Sequence, residues 1–112
     1  NPDYYFVEAG KKAMRGELTS AIDMLKRGLS LQPNHFFCRF NHGVVLFKLG
    51  LIVEASNDFL SLTLSHPKEA WPHYNLAVCL AQMGLPVASK DSNSPTNKKL
   101  QQNCPFMSLT AN

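Results

Sequence analysis

The chain has 112 residues, 45% hydrophobic and 17% charged, with a formal net charge of +3. No apolar run nears the ~20 residues that span a bilayer; that from Gly43 to Phe47, for one, stops at Lys48. Residues 1–84 carry eight Lys/Arg against seven Asp/Glu, a balance of +1, which leaves no basic stripe for nucleic acid. In chain order, apolar spacing at three and four residues predicts helices near 3–15, 18–31, 36–49, 52–64 and 69–83. Ala21, Leu25, Gly28 and Leu29 set the period in the second, and Ala55, Phe59, Leu60 and Leu62 in the fourth. Glycines 16, 50 and 84 are predicted to end the odd-numbered helices in a left-handed cap. Pro33 and Pro67 follow the even-numbered ones and disfavour helical geometry just before them. Pro72 falls in the first turn of the fifth helix, where its missing N–H does no harm.

These landmarks share one phase. Gly16, Gly50 and Gly84 are 34 residues apart, as are Ala21 and Ala55, and Pro33 and Pro67. The pattern resembles the tetratricopeptide repeat family. Its small, glycine, alanine, aromatic and proline positions fall on Ala9, Gly16, Ala21, Leu25 and Pro33, then on Gly43, Gly50, Ala55, Phe59 and Pro67. A third unit supplies Leu76, Ala77 and Gly84, after which Ser89 stands where alanine is expected. The family's signature tryptophan is replaced by Tyr5, Arg39 and His73. The resemblance implies an all-α fold of antiparallel helical hairpins stacked as a short right-handed superhelix, an α-solenoid. It would span residues 2–84, with repeats at 2–35 and 36–69 and the first helix of a third at 70–84.

Residues 85–112 are expected to form a polar tail. The stretch 89–99 has no apolar side chain and is predicted to be disordered, while Cys104 to Leu109 regains apolarity without a helical period. Repeat arrays generally need about three units and a polar cap. The chain therefore reads as a fragment or isoform, or as an array whose last helix is covered by self-association, by a partner or by residues 106–109. Ser94-Pro95 would accept a proline-directed phosphate, as any such pair in a polar tail would.

The resemblance also implies where a partner sits, because the first helix of each pair lines the concave face. The matching positions are Asp3, Phe6, Gly10, Ala13 and Met14, then Phe37, Phe40, Val44, Phe47 and Lys48, then Trp71, Tyr74, Val78, Ala81 and Gln82. Six of these fifteen are aromatic and two are charged, so the expected function is protein binding, with an apolar or amphipathic segment in the groove. A stripe at helical spacing is core as well as site, so packing between helices stays open for part of the set. Asn41 and Asn75, at equivalent positions, would bond a ligand backbone, as asparagine ladders do in some relatives, or water. The alternative function is assembly through the helix at 69–83, in a homo-oligomer or a larger complex.

Other chemistries find less support. The two-carboxylate clamp of Lys, Asn and Arg in chaperone adaptors would fall on Phe6, Gly10, Asn41, Trp71 and Asn75, where only Asn41 agrees and aromatics stand where cations are required. Cys38 and His42 share a helical face with His73 as the one plausible third ligand, and no metal site or cofactor is expected. His35 and His66 read as surface residues, and Glu8 and Lys12 as an i,i+4 pair. No nucleophile–base set or phosphate loop can be assembled, so the chain is not expected to be an enzyme. Stacking of RNA bases on the aromatics would lack nearby cations. Three cysteines without a CxxC pair, no Asn-x-Ser/Thr acceptor and no signal-like start give an intracellular, cytoplasmic expectation.

Overall fold

The structure, a computed structural model, describes residues 1–85; the expected tail, with Cys104, Ser94 and Phe106, lies outside the described residues apart from Leu85. Five helices and no strand are present among them: α1 (Pro2–Met14), α2 (Leu18–Leu31), α3 (Phe36–Lys48), α4 (Ile52–Ser65) and α5 (Ala70–Gln82). Each coincides with an expected helix to within one or two residues. The fold is all-α and repeat-like. None of these helices is long and apolar enough to cross a membrane.

Local chemistry sets the ends. Asn1 caps α1 by accepting the Asp3 N–H at 2.9 Å, and Pro2 opens the first turn, where no donor is missed. In the second half of α1, Glu8 pairs at 3.5 Å with Lys11 and not with the expected Lys12. The odd-numbered helices end alike. Gly16, Gly50 and Gly84 adopt φ of 80°, 86° and 74°, and the next residue's N–H returns to a carbonyl five residues back: Glu17 to Lys12, Leu51 to Leu46 and Leu85 to Leu80, each 2.9 Å. This is the two-bond C-terminal cap that requires a left-handed residue. A Cβ at any of the three would touch nothing within 4 Å, so backbone conformation alone demands glycine there.

Packing follows from small residues. α1 pairs with α2 and α3 with α4, while α2–α3, α4–α5 and α1–α3 contacts stack the pairs. α5 is held by α4 and scarcely approaches α3. Gly43 brings α3 onto α4, since a Cβ there would stand 2.8 Å from the Phe59 ring. Gly28 does the same for α2 against α3, with Cys38 Sγ 2.7 Å from the missing Cβ. Leu25, Phe40, Val44, Val45 and Phe59 fill the space between, all fully buried. Burial of side chains of this size contributes about 1.5–3 kcal/mol each.

Candidate functional site

The side chains expected along the inner helices divide into two groups. One remains at the surface. Phe6 of α1 is half-buried and stacks on Phe37 of α3, with centroids 5.0 Å apart and planes at 21°. Phe37 keeps 37% of its surface exposed and meets Phe36 edge-on at 5.3 Å. Phe47, Tyr74 and Val78 are half-buried, whereas Met14, Lys48, Ala81 and Gln82 are exposed. Elsewhere around α1, Tyr4 and Val7 are 57% and 47% exposed. Two consecutive inner helices thus contribute a ring each to one accessible aromatic face.

The other group does not line an open groove, contrary to the sequence expectation. Phe40 and Val44 are fully buried and Trp71 is 8% exposed; Gly10 and Ala13 are buried as well. The reason at Phe40 is the close approach at Gly43, which brings Phe59 in edge-on at 5.7 Å while Phe36 stacks from the other side at 5.8 Å. Trp71 meets Tyr74 edge-on at 5.5 Å. Asn41 and Asn75 are also fully buried, so neither is the water-facing edge residue the sequence allowed. Among the described residues, none offers a hydrogen-bond partner to their carboxamide atoms or to the Trp71 indole N–H. An enclosed amide left without any partner would cost about 1–3 kcal/mol, and these two stand at equivalent positions one repeat apart.

Two polar clusters were not visible in the sequence. Asp58 of α4, 5% exposed, accepts from Arg39 Nη1 at 3.0 Å and from His42 Nδ1 at 2.5 Å. Arg39 and His42 are three apart on α3, but nothing in the sequence says that Asp58 will face them. The second cluster corrects the reading of His35 as a surface residue. Its side chain is 13% exposed. Nδ1 accepts the Cys38 N–H at 3.1 Å, capping α3, so Nε2 carries the proton and donates to Asp3 Oδ1 at 2.7 Å. His66 is likewise half-buried, edge-on to Phe36 at 5.1 Å.

Cys38 and His42 are engaged in different directions. The Cys38 thiol donates to the Pro2 carbonyl at 3.4 Å, while His42 faces Asp58. Among the described residues no three His, Cys, Asp or Glu side chains gather as a metal site. Burial, helped by the charge of Asp3, pushes the Cys38 thiol up to about 11, and burial alone does the same at Cys79. Both are thiols and not thiolates at neutral pH, which makes them poor nucleophiles.

A scan against protein-family models matches none of them, and a search of curated proteins finds no significant match.

Proposed function

We propose that the chain is a non-catalytic protein-interaction module of tetratricopeptide-repeat type, and that it holds an apolar or amphipathic segment of another protein against the Phe6–Phe37 face. The observation that carries this reading is the stacked pair itself, with Phe37 37% exposed. Aromatic side chains left at a surface are among the groups that interfaces enrich. The 34-residue recurrence of glycine caps and small contact residues supports the family assignment.

Asn41 and Asn75 add a polar element. Among the described residues their amide atoms have no partner, and a partner main chain that reached them would hydrogen-bond there.

The test is crosslinking capture from cells that make the protein, with wild type and Phe37→Ala compared side by side. The reading expects a protein crosslinked by wild type and lost with Phe37→Ala at unchanged helicity. Equal capture by both would remove the aromatic face from the account.

A further inference from the structure

Asn1, His35 and Glu69 stand 34 residues apart, each at the N-terminal cap of an odd-numbered helix. Asn1 caps α1 with an amide oxygen, and Glu69 makes no side-chain bond to α5. His35 caps α3 with a ring nitrogen. Only there is the capping acceptor an atom that also binds a proton near neutral pH.

The two nitrogens of His35 have fixed and opposite roles. Nε2 donates to Asp3 Oδ1 at 2.7 Å, and Nδ1 accepts the Cys38 N–H at 3.1 Å. A second proton has one place to go, and the lone pair it would take is the one that holds the cap. The other histidines have no such conflict. His42 gives its Nδ1–H to Asp58, and His73 gives its Nε2–H to the Pro67 carbonyl. His66 meets the Ser65 hydroxyl, which can turn to either role.

The groups around the ring set the direction. Asp3 of α1 attracts an imidazolium, but its side chain is 71% exposed, so the attraction is screened. The N-terminal end of α3 opposes a cation. Cys38 turns its thiol to the Pro2 carbonyl, and Arg39 faces Asp58 and the Pro33 carbonyl. Phe37, 6.4 Å from the imidazole between centroids, brings no charge.

We propose that His35 is a pH-sensitive cap: a second proton displaces the Cys38 N–H from Nδ1, the ring stays with Asp3, and the first turn of α3 loosens. That turn carries Phe36 and Phe37, and it meets α1 through the Cys38 thiol on Pro2 and the Phe6–Phe37 stack. Acid therefore slackens the joint between the first hairpin and the second. It does so whatever the aromatic face binds.

Nitrogen NMR of the imidazole rings, combined with amide hydrogen exchange on the full chain, tests the cap. At about pH 8, above the ordinary histidine range near 6.5, His35 should be the Nε2–H tautomer. As His35 takes up its second proton, the protection of the Cys38 N–H, corrected for intrinsic exchange, should fall about fivefold, the worth of a lost cap. His35→Asn offers an amide oxygen, as Asn1 does to α1, and should keep that N–H protected with no step. The wild-type readings stay decisive if the variant fails to fold. An Nδ1–H tautomer at the alkaline end, a Cys38 N–H indifferent to protonation of His35, or a step retained in His35→Asn would each overturn the proposal.

Discussion

Arg39 and His73, 34 residues apart, each reach back to a proline carbonyl: Arg39 Nη2 to Pro33 O and His73 Nε2 to Pro67 O, both 3.0 Å. The carbonyl can only accept, so Nε2 of His73 carries its proton. The two side chains clasp the turn that joins one hairpin to the next, at the position where the resembled family carries tryptophan. They differ in a second bond, because Arg39 alone also holds Asp58.

That difference predicts unequal costs. Arg39→Ala leaves the Asp58 carboxylate, 5% exposed, with His42 alone. Because His42 still holds the carboxylate, the expected loss is that of one hydrogen bond to a charged group, about 2 kcal/mol. His73→Ala removes one hydrogen bond and should cost about 1 kcal/mol. Urea denaturation of the two variants measures both.

The orphan amides make an opposite-signed prediction. Asn41→Leu and Asn75→Leu remove unsatisfied polar atoms from fully buried sites, and apolar replacement of such groups is near neutral or stabilising. Thermal melting should show an unchanged or raised midpoint for each, while partner affinity falls. A drop in stability as large as that of a core truncation would mean that the amides are satisfied after all.

Two glycines separate clash from strain. Gly43→Ala drives a Cβ to 2.8 Å from the Phe59 ring and should cost about 1–3 kcal/mol through overpacking. Gly50→Ala meets no atom within 4 Å but must adopt φ of 86°, a left-handed penalty of about 1–2 kcal/mol. A second change, Phe59→Leu, should relieve Gly43→Ala and leave Gly50→Ala as it is. A double-mutant cycle by chemical denaturation reads this directly.

The buried thiols give the chain an alkaline weakness. Cys38 and Cys79 are raised from 9.0 to about 11 by burial, so between those values the unfolded chain releases protons that the folded chain keeps. Stability is therefore full below pH 9 and falls as pH rises toward 11, by up to ~1.4 kcal/mol per pH unit for each thiol. Cys38→Ala and Cys79→Ala should each flatten this slope, whatever they do to stability at neutral pH. Melting points across that range check it.

The helices and their order were legible because the signals are local. A glycine that must turn left-handed, a proline that stops a helix and a three-to-four spacing act within a few residues of themselves. The fate of the aromatic stripe was not. Phe37 and Phe40 both fit an inward-facing pattern, and only the approach of Phe59 over Gly43 decides that Phe40 is core while Phe37 stays out. Asn41 and Asn75 misled for a related reason: carboxamides normally stay wet, and the sequence carries no sign that these two are enclosed. His35 reads as a turn residue until Asp3 is brought to it from 32 residues away.

The sharpest test of the central claim is calorimetric titration of the captured partner segment into wild type and Phe37→Ala. The account predicts an affinity about 30-fold weaker for the variant, a hot-spot loss of about 2 kcal/mol, with no change in melting midpoint beyond that of one partly exposed ring. An unchanged affinity would contradict it and move the binding surface away from the Phe6–Phe37 pair.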